Sequence, residues 1–332
     1  MNELVGAVLT RPSIDTAGAA SVLLRQWGLV GDLRSLPSER DRNFAVVVDG
    51  VERFVLKLSN ANEDPAFLDF QHRVMDRLAG AGVPCQRAIR TTAGREIVDI
   101  GSDGSPILAR LLGWLPGRPL AAIPSAHRSS ALLTDLGRTM GRTAAALDGF
   151  DHPAAHRRFH WSAEQSLEVI AAHAPAITDP DRVALLDRWR RRLEPLAAIL
   201  PALRHGVIHN DANDHNVLVA DDGASISGLL DLGDAVWSVV VNELAVACAY
   251  AALGDADPVA TIETVRSGFE EALPLADDER DLLVELVALR LATSVALSAH
   301  QSSLAPDDPY LTVSEAPAWD LLERLIAVEP VR

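Results

Sequence analysis

The run His209-Asn210-Asp211-Ala212-Asn213-Asp214-His215-Asn216 constrains this chain more than any other feature. It lies between two apolar runs, Val207-Ile208 and Val217-Leu218-Val219, that read as short buried strands. A third apolar run, residues 226–230, ends on Asp231-Leu232-Gly233-Asp234. Buried strand ends tolerate so many charged and amide groups only when those groups hold something, usually a metal ion or a reacting group. The chain must therefore build a strand cluster inside a larger body, with a polar site at its ends.

There is enough chain for that body. The sequence has 332 residues, 48% of them hydrophobic and 23% charged, which excludes disorder and allows one large or two medium domains. Cys85 and Cys248 are far apart and form no C-x-x-C, which argues against a disulfide framework or a zinc finger. The N-terminal stretch has an early Glu3 and no signal-peptide pattern. Two apolar stretches, 237–253 and 282–299, are interrupted by Asn242-Glu243 and by Glu285 and Arg290, so they read as buried helices and not as spans. The expectation is a soluble, cytoplasmic protein, and nothing in the sequence speaks to its oligomeric state.

Charge is distributed unevenly. Residues 1–205 carry 23 acidic and 25 basic side chains; residues 206–332 carry 23 acidic and 5 basic. So acidic a C-terminal part repels nucleic acid and anionic membranes and favours cationic ligands or divalent metal. Arg190-Arg191-Arg192 reads as the wet face of a helix. Trp161, Trp189 and Trp237 read as packing, and Glu243 as an acceptor bracing the 209–216 loop. Of the 30 basic residues, 29 are arginine and one is lysine, Lys57. Lysine is a compact point charge that arginine does not replace at a tight site.

Lys57 falls on a strand. Asp49-Gly50 predicts a hairpin between 44–48 and 51–58, with Arg53, Val55 and Lys57 on one face and Phe54, Leu56 and Leu58 on the other. A helix is expected over 15–27. Another starts at Asp64-Pro65 and runs to about Ala79, with Gln71 inside its apolar stripe. Further strands are expected near 86–90, 95–100 and 107–112, ahead of the loop Leu115-Pro116-Gly117. Beyond it the pattern turns helical at 131–148, 164–173, 181–193, 240–253, 258–272, 278–303 and 316–327. The fold class expected is α+β: a β-rich lobe over 1–112 and a larger helical lobe over 113–332.

The spacing His-x-Asp-x4-Asn, with Asp-Leu-Gly following 15 residues after the Asn, suits phosphoryl transfer. That reaction needs a carboxylate to orient and deprotonate the attacking hydroxyl, and an Asn and a second carboxylate to hold Mg²⁺. It also needs a lysine to neutralise nucleotide phosphates. A metallohydrolase is the first rival, through His209, Asp211, Asp214 and His215, but the rest of a dinuclear ligand set is missing. A P-loop is excluded because no GKS or GKT is present, and no G-x-G-x-x-G supports a dinucleotide fold. A nucleotide-binding pseudokinase is the rival from another class; against it, the base, both metal ligands and the lysine are all present.

The chain resembles the aminoglycoside phosphotransferase and choline kinase family, which has the protein-kinase-like fold, and within it looks most like the hydroxylysine kinase branch. The stretches that carry the resemblance are SERDRNF, FVLKLSN, FLDFQHRVMDRLAGAGVPC, ARLLGWLPGRPL, VIHNDANDHNVLV and GLLDLGDAVWSVVVNELAVACAYA. It implies that Asp211 is the catalytic aspartate, that Asn216 and Asp231 are Mg²⁺ ligands, and that Lys57 meets the phosphates. Ser38, Arg40 and Asn43 would lie in a loop over those phosphates, and Leu111, Leu112 and Trp114 at a hinge against the purine. The helix glutamate that pairs with such a lysine is replaced here by Gln71, for which Glu63 or Asp69 could substitute. The implied reaction is transfer from ATP or GTP to a hydroxyl of a cationic small molecule, an amino alcohol or hydroxylated amino acid. An aminoglycoside is the alternative acceptor. Asp234 and Asp214 are candidate acceptor ligands. Because Lys57 is the sole lysine, an amine-directed label should modify it and the N-terminal amine in the free protein. Saturating Mg²⁺–nucleotide should protect Lys57 alone, as read by peptide mass spectrometry; equal labelling in both states would remove Lys57 from the phosphate site.

Overall fold

Asp49 and Gly50 both adopt positive φ, 53° and 75°, the geometry of a tight two-residue hairpin turn. That turn joins β2 (Arg42–Val48) to β3 (Val51–Leu58) in the first of two units into which the chain divides. The computed structural model describes residues 12–38, 41–60, 62–101, 106–304 and 315–328. The division falls between Pro116 and Gly117, a few residues beyond 112, because the last strand of the first unit continues through Gly113.

The first unit holds α1 (Thr16–Trp27), β1 (Asp32–Leu36), β2, β3, α2 (Pro65–Gly80), β4 (Ala88–Ile89), β5 (Val98–Asp99) and β6 (Leu108–Gly113). Its antiparallel sheet runs β1-β2-β3-β6-β4, with β5 also on β6. Asp15 caps α1 by accepting from Gly18 N, and Gly28 ends the helix in the left-handed region. Ala19, Val22, Leu23 and Trp27 of α1 pack on Phe44, Val46, Leu56, Leu58, Ala109 and Leu111. That face is apolar. Strand alternation sends the in-register row Asn43, Lys57 and Arg110 to the other face. Strand β1 was not anticipated, since Asp-Leu-Arg-Ser-Leu lacks the β-branched residues that mark a strand.

The second unit contains β7 (Arg118–Pro119), α3 (Ser130–Leu147), α4 (Ala163–His173), α5 (Pro180–Leu193) and α6 (Leu196–Ile199). Then follow β8 (His205–Ile208), β9 (Val217–Val219), β10 (Ile226–Leu229) and β11 (Val236–Val239). The chain continues in α7 (Val241–Ala251), α8 (Pro258–Glu270), α9 (Asp277–Asp281), α10 (Leu283–Leu304) and α11 (Glu315–Leu325). The helix expected over 278–303 is thus two, broken at Leu282. Helix α10 is long and apolar enough to cross a membrane by length and composition alone, but 78% of its apolar window is buried among α4, α7 and α11. Its charged residues are paired: Glu285 accepts from Arg192 at 2.6 Å. Arg192 therefore leaves the wet face on which the sequence pattern put it, while Arg190 remains half-exposed beside Asp187.

Two small sheets frame the site: β10-β9-β7 and the pair β11-β8. The loop 209–216 leaves β8 and enters β9, and the loop 230–235 leaves β10, the partner of β9, and enters β11, the partner of β8. Pairing of the strands therefore sets the two polar loops side by side. Behind them α3 and α8 cross at backbone contact, since a Cβ on Gly137 would lie 1.8 Å from the Val265 carbonyl oxygen and one on Gly268 2.0 Å from that of Thr134. Gly137→Ala should therefore force the helices apart and lower stability by about 3 kcal/mol. Gly80→Ala, where nothing approaches, should be neutral or stabilising; chemical denaturation of both variants checks this.

Candidate active site

His209, 1% exposed, ties the two loops together. Its Nδ1 accepts from the Asp211 amide at 3.2 Å, and its Nε2 lies 2.9 Å from the Leu230 carbonyl oxygen. An imidazole that accepts at Nδ1 must carry its proton on Nε2, so it donates to Leu230, and the ring is neutral. Burial agrees, pushing its pKa below the ordinary value. The His209 amide donates to Glu243 Oε2 at 2.5 Å, so Glu243 braces the loop as expected. Glu243 is fully buried, and burial drives its carboxyl up to about 7. Asn210 adds a third tie: its side-chain amide donates to the carbonyl oxygens of Trp161 and Asp234, and its Oδ1 accepts from Asn242 at 3.0 Å. Both Asn210 and Asp231 sit at positive φ, 66° and 56°, where an Asn or Asp is tolerated better than most side chains.

These ties present Asp211. Its Oδ1 accepts from Asn213 Nδ2 at 2.9 Å and Arg290 Nη2 at 3.0 Å; its Oδ2 accepts from Asn216 Nδ2 at 2.7 Å. Burial and the neighbouring Asp234 raise its pKa well above the usual carboxylate range, and Arg290 and Asn213 oppose that shift. Asn213 also closes the turn, its Oδ1 accepting from the amides of His215 and Asn216. Asn216 spends its side-chain N–H on Asp211, and its carbonyl accepts from Leu230 N at 2.8 Å, next to Asp231. Arg157 holds the second loop through the carbonyls of Gly233 and Ala235.

The donor set suits Mg²⁺. Asp231 is an exposed carboxylate beside Asn216, whose Oδ1 is the atom left for a ligand, and hard oxygens of this kind are what the ion takes. Among the described residues no group of three His, Cys, Asp or Glu could hold a metal. The hydrolase arrangement of His209, Asp211, Asp214 and His215 does not form: both nitrogens of His209 are engaged, and His215 is exposed. Asp214 is turned toward Arg128, 3.9 Å away, whose guanidinium is committed to the carbonyls of Ile123, Tyr250 and Ala251. That places Asp214 beside the frame of the loop.

In the first unit Lys57 is buried, with Asn43 and Arg110 directly opposite it on the neighbouring strands. Asn43 is thus part of β2 and not of the loop, because β1 and β2 close through 37–41. Ser38 lies in that connection, its Oγ accepting from Asp41 N, while Arg40 lies outside the described residues. Gln71 Oε1 accepts from Arg110 Nη1 at 2.7 Å, so the helix amide serves Arg110 and not Lys57. Asp69 pairs with Arg73 one helical turn on. Leu111 and Leu112 stand inside β6, and the amides of Gly113 and Trp114 donate to the carbonyls of Arg87 and Arg53. Arg290, Asn213 and Arg110 were not singled out from the sequence.

With this geometry described, comparison with known proteins assigns the class. Residues 32–282 match the phosphotransferase enzyme family, and the chain belongs to that family. It is 30% identical to the hydroxylysine kinase of Danio rerio, over 95% of this chain and 92% of that one, and 29% identical to that of Mus musculus, over 95% and 90%. A homoserine kinase of Methylobacillus glycogenes is 29% identical over 68% of this chain and 67% of its own. Among solved structures, the microcompartment-associated aminopropanol kinase superposes with a TM-score of 0.69 at 18% identity, covering 96% of this chain and 99% of that one. An amicoumacin kinase in complex with AMP-PNP and Ca²⁺ superposes at 0.67 and 15% identity, covering 88% of each. The fold is that of these kinases, and the chain is a phosphotransferase enzyme among small-molecule kinases.

Glu243 supplies a pH test. Its carboxyl binds a proton more tightly folded than unfolded, so between about 4.5 and 7 the folded state carries more protons and loses stability as pH rises. The stability difference between wild type and Glu243→Gln should move against wild type across that interval and level off above pH 7. A difference independent of pH, measured by urea unfolding, would contradict the raised pKa.

Proposed function

We propose that this enzyme transfers the γ-phosphoryl group of a Mg²⁺–nucleotide, ATP or GTP, to the hydroxyl of an amino alcohol or hydroxylated amino acid. The observation that carries this reading is the Asp211 carboxylate, fixed by three donors in a loop locked to the Asp231 loop through one neutral imidazole. In this reading Asp211 orients the acceptor hydroxyl and takes its proton as the new P–O bond forms. Asn216 and Asp231 would hold Mg²⁺, which supplies charge neutralisation at the transferring phosphate. Lys57 contributes a point charge to the phosphates. Asp234, whose charge is felt by Asp211 and Arg290, is the acidic group suited to an ammonium on the acceptor. The net charge of residues 206–332 steers such a cation toward it.

The relatives support a hydroxylated amine. Hydroxylysine and homoserine kinases align over most or two thirds of the chain. An aminoglycoside is the second reading, supported by fold likeness alone: the solved APH(4)-Ia kinase with hygromycin B superposes at a TM-score of 0.62 and 20% identity.

The test is a coupled assay of hydroxylysine, homoserine, aminopropanol and hygromycin B with ATP and with GTP. A hydroxylated amine should be phosphorylated with kcat/KM falling as salt rises, and its N-acetyl derivative should be poorer. Asp211→Asn should lose about 10²–10⁴-fold in kcat while still binding nucleotide. Better turnover of the acetylated compound, or of hygromycin B, would overturn the acceptor assignment. An Asp211→Asn variant with more than about a tenth of wild-type kcat would overturn the role of Asp211.

A further inference from the structure

Arg290 stands in the middle of α10, 79 residues from Asp211 in sequence, and is only 5% exposed. Its guanidinium lies against Trp161, 4.2 Å from the ring centroid, and near Tyr250, 5.7 Å away. Its Nε and Nη1 are buried without a hydrogen-bond partner among the described residues. A guanidinium has five N–H donors, and burying one this poorly satisfied is expensive. Packing alone does not explain it, since a well-fitted apolar side chain in place of a buried ion is often neutral or stabilising. Its Nη2 donates to Asp211 Oδ1 at 3.0 Å, and the Tyr250 hydroxyl is its other hydrogen-bonding neighbour.

That bond decides which oxygen of Asp211 is available. Oδ1 receives Arg290 and Asn213 and has both lone pairs occupied; Oδ2 receives only Asn216 and keeps one. Without Arg290 the carboxylate would be held by the two amides alone and could turn about its Cβ–Cγ bond. We propose that Arg290 is a positioning residue of the phosphoryl transfer, fixing the rotation of the Asp211 carboxylate so that Oδ2 alone faces the acceptor hydroxyl. The inference rests on the reading of Asp211 as the group that takes the acceptor's proton. Trp161, which sequence pattern assigns to packing, lies under the guanidinium and holds it in place beside Asp211.

A double-mutant cycle of Arg290→Met with Asp211→Asn tests it, measured in single turnover as phosphoryl flux to hydroxylysine, or to water if no acceptor turns over. Arg290→Met should lose about 10²-fold in kcat with nucleotide KM little changed, because a misplaced reacting group costs about that much. The same substitution on the Asp211→Asn background should cost nothing further, since the group it acts through is gone. Arg290→Lys, which keeps a buried cation, should recover part of the rate and carries the test if the Met variant does not fold. Equal losses on both backgrounds would make Arg290 structural. A rise in acceptor KM alone would make it a substrate ligand. Either result overturns the proposal, as does a loss below about threefold. If Asp211→Asn itself retains full kcat, the reading of Asp211 is what fails, and Arg290 has nothing to position.

Discussion

The neutral imidazole of His209 is the contact on which the site depends. Neither polar loop has a ladder of its own across the gap between the two small sheets, and the ring spans them with one hydrogen bond in and one out. Charging that ring would turn Nδ1 from acceptor to donor and set it against the Asp211 amide. Burial, which disfavours the charge, is thus what keeps the bridge intact. Glu243 and Asn242, both from α7, hold the same loop from behind, so a buried helix anchors the polar groups in front of it.

Much of this was legible in the sequence because it is local. The seven polar residues between apolar runs, the Asp49-Gly50 hairpin and the Asp64-Pro65 helix start each depend on neighbours a few positions away, and each forms as its pattern indicates. Gln71 was readable as buried, because helical period puts it in the apolar stripe, yet its partner was not. Whether Lys57 or Arg110 takes the amide is settled by which strand lies under the helix. Arg290 looked like an interruption of an apolar stretch, and Arg192 like a surface residue. Both belong to pairs spanning dozens of residues, Arg290 with Asp211 and Arg192 with Glu285, and no periodicity encodes a partner that distant. The short strand β1 escaped for a different reason: pairing with a neighbour, more than propensity, makes it a strand.

The acidity of the C-terminal part also takes on structure. Its few arginines are spent with care: Arg266 and Arg280 share Glu270 near the surface, while Arg290 alone is carried into the site. Asp231 is exposed and Asp234 partly so, while Arg290, the buried cation among the described residues of this part, is set against Asp211.

The distance in sequence between Asp211 and Arg290 has a consequence for how the molecule comes into being. A chain emerging from its N-terminus completes β8 to β11, and with them both polar loops, well before α10 exists. Until that helix docks, the Asp211 carboxylate has the amides of Asn213 and Asn216 and the carboxylates of Asp231 and Asp234 for company, but not the guanidinium. A product truncated ahead of α10 would therefore carry every recognisable motif without a finished centre.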